Sequence, residues 1–129
     1  MNTLKPLQGK YILIAEDDDS SFYYFKEVLQ KTKFEILRAF NGKEAVDMVK
    51  HNDEIVLVLM DIQMPLMDGN EASNQIRKIR KELPIIAQTA YVVPDNISKY
   101  ISINCDELLV KPVAYNTLLA VVNQYLSVE

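Results

Sequence analysis

The chain has 129 residues, 49% of them apolar, with a net charge of −4, one cysteine and one histidine. That length predicts a single domain, and the acidic balance argues against an electrostatic nucleic-acid surface. Cys105 alone cannot form an internal disulfide, and with His51 as its only histidine partner it excludes a zinc cluster of the usual ligands. No apolar run approaches the roughly 18 residues of a membrane span. The opening "MNTLKPLQGK" lacks the apolar segment of a secretory signal. Residues 1–9 read as an arm or linker, and 10–129 as the folded domain.

Strands and helices alternate along the chain. "YILIAE" (Tyr11–Glu16) is a short apolar, β-branched run that reads as a buried strand. The acids and serines of "DDDSS" offer N-cap oxygens. Phe22, Phe25, Val28 and Leu29 then recur at helical spacing. "FEILRAF" (Phe34–Phe40) predicts a second strand, and Asn41-Gly42 opens a helix with Ala45, Val46 and Val49 on one face. "EIVLVLM" (Glu54–Met60) is the most apolar run and predicts the central strand. Ala72, Ile76 and Ile79 mark a third helix, and "PIIAQTA" (Pro84–Ala90) a fourth strand. Ile97, Tyr100 and Ile101 suggest a short helix, and "ELLV" (Glu107–Val110) a fifth strand. After Lys111-Pro112, Leu118, Leu119, Val122 and Leu126 form the face of the last helix.

Five such βα units predict an α/β fold, a parallel sheet with helices on both faces. In open sheets of this kind, ligands bind outside the carboxyl ends of the strands. That rule singles out Glu16, Asp17, Asp61, Thr89 and Lys111 as a group. Three clustered carboxylates repel, by about 3 kcal/mol at most for each close pair at an effective dielectric near 20. A hard divalent cation such as magnesium relieves that repulsion and prefers oxygen ligands. Lys111 offers a point charge, and Thr89 a hydroxyl, for a phosphoryl oxygen. An aspartate carboxylate can attack a phosphoryl group to give an acyl phosphate. Each feature alone is commonplace. An acid pair after a strand is often a helix start, Thr89 an ordinary strand residue and Lys111 a surface lysine. Asp18 and Asp19 read as helix-start residues, His51 as exposed, and Cys105, Met60, Met64 and Met67 as packing or loop residues.

The segments "ILIAEDD", "LMDIQMPLMDG", "IIAQTA" and "LLVKP", in this order and spacing, resemble a two-component response-regulator receiver domain of the chemotaxis-regulator type. The resemblance runs from about Lys10 to Leu126. It implies a doubly wound, flavodoxin-like five-stranded parallel sheet in the order 2-1-3-4-5. It implies Asp61 as phosphoacceptor, and Glu16, Asp17, Asp61 and the backbone carbonyl of Gln63 as magnesium ligands. Thr89 and Lys111 would contact the phosphoryl group, and Pro65 and Gly69 would shape the loop after Asp61. The implied donor is a phosphohistidine on a sensor histidine kinase or a histidine phosphotransfer protein, with an output partner that the sequence does not name. The implied protein is a cytoplasmic signalling switch that binds neither nucleic acid nor membrane directly. It catalyses only its own phosphorylation and dephosphorylation. The "GKYILIAEDD" opening is similar to receivers of hybrid sensor kinases.

Three positions depart from the family pattern. Glu16 stands where aspartate is commoner, and Asn104 where a turn glycine is frequent. Leu108 replaces the usual aromatic residue three positions before the lysine, which bears on signalling rather than on phosphorylation. Gln63 and Tyr91, two residues beyond Asp61 and Thr89, are expected to flank the phosphoryl group. A haloacid-dehalogenase type of phosphatase would want an acid at position 63, where this chain has glutamine. A pseudo-receiver, an interaction module not regulated by phosphorylation, would show losses among Asp61, Thr89 and Lys111, and none is lost.

Overall fold

A computed structural model describes residues 9–90 and 104–126. The expected arm, apart from Gly9, lies outside these residues, as do Tyr91 and the expected helix around Ile97, Tyr100 and Ile101. Five strands, β1 (Tyr11–Ala15), β2 (Glu35–Ala39), β3 (Ile55–Asp61), β4 (Ile85–Thr89) and β5 (Glu107–Val110), form one parallel sheet. Their order is β2-β1-β3-β4-β5, as expected. Four helices are described: α1 (Asp19–Leu29), α2 (Gly42–His51), α3 (Gly69–Ile79) and α4 (Tyr115–Leu126).

The β1 residues Ile12 to Ala15 are fully buried because they are covered on both faces. Period-two alternation sorts the strand residues between two cores. Leu13, Ala15, Val58, Met60 and Ile85 pack against α2 and α3. Ile12, Ile14, Leu57, Leu59 and Ile86 pack against α1 and α4. Truncating one of these fully buried branched side chains to alanine costs about 2–5 kcal/mol.

The helices start where the side chains can cap them. Asp18 accepts the Ser21 N–H at 2.8 Å, Asn41 that of Glu44 at 2.8 Å, and Asp68 that of Glu71 at 2.9 Å. Glu44 in turn accepts the N–H of Phe40, the residue before the cap, at 2.8 Å, which ties the chain's entry to the first turn of α2. The buried faces are Phe22, Phe25, Val28 and Leu29 on α1 and Ala45, Val46 and Val49 on α2. The expected faces of α3 and α4 form, with their residues buried to different depths. Ile79, the last residue of α3, is exposed, and Leu119 and Leu126 of α4 are only partly buried.

Strand ends also shift. Phe34, Phe40, Pro84 and Ala90 fall outside their ladders, and Asp61 falls inside β3, opposite Gln88 of β4. The Ile62 N–H donates to the Gln88 carbonyl at 3.0 Å, so pairing continues one residue past the apolar run.

Candidate functional site

Alternation carries the apolar pattern onto polar residues at the carboxyl edge of the sheet. Glu16 follows Ile12 and Ile14 in phase, Asp61 follows Leu57 and Leu59, Gln88 follows Ile86, and Lys111 follows Leu109. All four therefore fall on the α1 and α4 side, at the crevice beside the point where the strand order reverses between β1 and β3.

The structure brings the predicted acids together. One carboxylate oxygen from each of Glu16, Asp17 and Asp61 lies within 4.8 Å of the others. Glu16 is fully buried and Asp61 is 4% exposed, while Asp17 is exposed. The Lys111 ammonium reaches into the same place. Nζ lies 3.0 Å from Glu16 Oε1 and 3.6 Å from Asp61 Oδ2. The Gln63 N–H donates to Asp61 Oδ1 at 3.0 Å and fixes the plane of that carboxylate. Thr89 ends β4, fully buried, and its carbonyl accepts the Lys111 N–H at 2.8 Å. Glu16, Asp17, Asp61 and Lys111 thus converge from the ends of β1, β3 and β5, while Thr89 is tied to this edge through its main-chain contact with Lys111.

Electrostatics follow from burial. Glu16 is pushed from its ordinary 4.5 up to about 7, first by its removal from water and then by the charge of Asp61. The Lys111 ammonium and the Asp18 N–H, which donates to Glu16 Oε2 at 3.1 Å, oppose that rise without cancelling it. One lysine cannot neutralise two buried carboxylates and the exposed Asp17, so the cluster retains an excess of negative charge. Its donors are all hard oxygens in close array, a set that suits a small divalent cation. Asp18 and Asp19 serve the start of α1 as expected: Asp18 caps the helix and Asp19 lies in its first turn. His51 is exposed, Met60 is buried, and Met64 and Met67 pack against the α2–α3 core. Cys105 is half-buried, and burial pushes its thiol up.

The loop after Asp61 is moored at both ends. The Gly69 N–H donates to the Ile62 carbonyl at 2.8 Å, and a Cβ at Gly69 would press on the Asp61 carbonyl and lie 2.7 Å from Ile62 Cα. The Gly42 N–H donates to the Met67 carbonyl at 3.0 Å, and a Cβ there would collide with that same carbonyl. Two residues near the acids carry no signal in the sequence. Gln88 is fully buried, with Nε2 3.4 Å from Glu16 Oε1. Arg38 donates from Nε to the Glu16 carbonyl at 3.1 Å. A strand register would have found Gln88 opposite Asp61, but that register comes only with the fold.

The described residues thus form a doubly wound α/β domain with an acidic cluster and a lysine at its switch point. Comparison with known proteins makes this specific. Residues 12–123 match the family model for the response regulator receiver domain, and the chain belongs to that family. It is 39% identical over 119 residues to hybrid signal transduction histidine kinase G of Dictyostelium discoideum, a match that covers 88% of this chain. The chain spans a small part of such relatives, 3% of that kinase and 21% of the transcription factor SKN7 of Candida albicans. Among solved structures, a CheY-like receiver domain protein of Methanospirillum hungatei is 27% identical with a TM-score of 0.82, over 92% of this chain and 94% of that one. A CheX–CheY–BeF3–Mg2+ complex of Borrelia burgdorferi gives 25% identity and a TM-score of 0.79, over 89% and 87% of the two chains.

Proposed function

We propose that this domain accepts a phosphoryl group on Asp61 from a phosphohistidine of a sensor histidine kinase or histidine phosphotransfer protein, and switches conformation to signal to a partner or attached domain. The observation that carries the reading is a carboxylate at the end of the central strand, 4% exposed, with a lysine ammonium 3.6 Å from one oxygen and a backbone N–H on the other. In the step, an Asp61 oxygen forms the new bond to phosphorus as the phosphorus–nitrogen bond to the donor imidazole breaks. The Gln63 N–H orients the attacking carboxylate. Lys111 stabilises charge on the phosphoryl oxygens as it transfers, and the Thr89 hydroxyl supplies a hydrogen bond. Magnesium held by Glu16, Asp17, Asp61 and the Gln63 carbonyl would neutralise the acids and bind a phosphoryl oxygen. The magnesium and beryllofluoride in the Borrelia complex support this assignment for a related receiver. On this reading the domain is a phosphorylated switch rather than an enzyme acting on another substrate. The high similarity to a segment of a hybrid kinase also supports placement in such a protein.

Incubation with acetyl phosphate and magnesium tests the assignment. One base-labile phosphoryl adduct is expected by mass spectrometry in the parent and none in Asp61→Asn. An adduct that persists undiminished in that variant overturns it.

A further inference from the structure

We propose that Arg38 is a positioning residue for the acid-bearing turn from Glu16 to Asp19, and through it for divalent-cation binding. This rests on the reading of that turn as the magnesium site.

The argument starts where the β1–β2 ladder ends. The last paired residues are Ala15 and Ala39, and Glu16 lies one step beyond. Its N–H is still satisfied by β2, donating to the Ala39 carbonyl at 3.0 Å. Its carbonyl accepts from no main-chain N–H on that side, because the next donor in phase after Ala39 is Asn41, which lies past the end of β2. The Arg38 side chain replaces the missing donor, with Nε 3.1 Å from the Glu16 carbonyl oxygen. Both backbone groups of Glu16 are therefore held by β2, one by main chain and one by side chain.

The guanidinium is itself held in place. Its central carbon lies 4.3 Å from the Phe22 ring centroid and 4.1 Å from that of Phe40. These contacts with two rings fix the orientation of the guanidinium, which a flexible ammonium cannot reproduce. The side chain is 12% exposed. Nη2 lies 2.9 Å from Asp19 Oδ1, an ion pair without hydrogen-bond alignment, and the Asp19 side chain is 76% exposed, so this contact contributes little. The hold on the turn comes chiefly from Nε and the two rings.

Charge and geometry make opposite demands here. A cation near a metal site repels the metal, so if Arg38 acted only through its charge, removing it would tighten binding. If it positions the turn, removing it weakens binding, because Glu16 and Asp17 lose their fixed placement. Outer-shell partners of metal ligands act in this second way.

Calorimetric titration with magnesium chloride decides between them, on the parent, Arg38→Met and Arg38→Lys, with thermal melts of each. Both variants are expected to bind magnesium about tenfold more weakly, the lower end of the loss seen for outer-shell partners. Their phosphorylation rate by acetyl phosphate at saturating magnesium should stay within about twofold of the parent, since Asp61, Thr89 and Lys111 are untouched. Arg38→Lys keeps the charge and most of the length, so it carries the test should Arg38→Met fail to fold. An affinity within about twofold of the parent in a folded variant, even one with a lowered melting temperature, assigns Arg38 to packing and overturns the proposal. Tighter binding by Arg38→Met overturns it in favour of simple repulsion. A parent that takes up no magnesium refutes the reading of the site, and this inference with it.

Discussion

The metal-free domain should lose stability as pH rises through neutrality, and Glu16 is the reason. Its carboxyl has an ordinary value of 4.5 and is raised to about 7 in the folded chain by burial and by Asp61. Between those values the folded state holds a proton that the unfolded state has released. Stability therefore falls as pH rises across this window, and the loss is complete above the folded value. The span from 4.5 to about 7, at about 1.4 kcal/mol per pH unit, amounts to about 3 kcal/mol. Other groups titrate in the same range, so the comparison is with Glu16→Gln, which keeps the shape and cannot ionise. Urea unfolding in EDTA at intervals from about pH 5 to about pH 8 gives both curves. The stability of Glu16→Gln relative to the parent is expected to grow by about 2–3 kcal/mol over that range. Saturating magnesium should remove the trend, because a bound cation favours the ionised carboxylate. A difference between the two proteins that stays constant with pH, or shrinks, would refute the reasoning.

Asp61→Asn should raise metal-free stability at neutral pH by about 1 kcal/mol, allowing for screening, because it removes one of the clustered charges. Magnesium should then raise the melting temperature of the parent more than that of the variant, and equal shifts would exclude Asp61 as a ligand. Gly69→Ala should destabilise by about 1–3 kcal/mol, read by urea unfolding, because the new methyl group presses on the Asp61 carbonyl. The same substitution should slow acetyl-phosphate labelling by displacing the loop after Asp61. Leu108 packs with Ile62, Ala87 and Cys105 and has no ring to turn, so beryllofluoride should shift its amide resonance less than that of Thr89. A larger shift at Leu108 would show that β5 responds without an aromatic residue.

Much of this architecture was legible because the strands are buried on both faces. Runs such as "YILIA" and "IVLVLM" cannot be amphipathic surface helices at that length, and the acids, glycines and asparagines between them mark the turns. The five candidate site residues were legible for a related reason: each follows an apolar run, and the fold class places such positions on one edge. Strand ends were less so. Nothing local distinguishes Phe40, whose N–H bonds a side chain, from Ala39, which still pairs. Arg38 and Gln88 were invisible because their roles depend on neighbours distant in sequence. An arginine inside "FEILRAF" looks like an edge-strand charge until the rings of Phe22 and Phe40 are seen beside it.

The bond between Lys111 and Glu16 joins residues 95 apart in sequence, across the two strands that separate β1 from β5 in the sheet. This makes the site a late product of folding, since closing so long a loop becomes favourable only once the central strands are in place. Until β5 docks, Glu16 and Asp61 lack the ammonium that offsets their repulsion, which disfavours partly assembled forms of the domain. A fragment cut before Lys111 should thus be a poor acceptor and a ready protease substrate. On the proposed reading, competence to receive a phosphoryl group would then report that the domain is folded through Lys111.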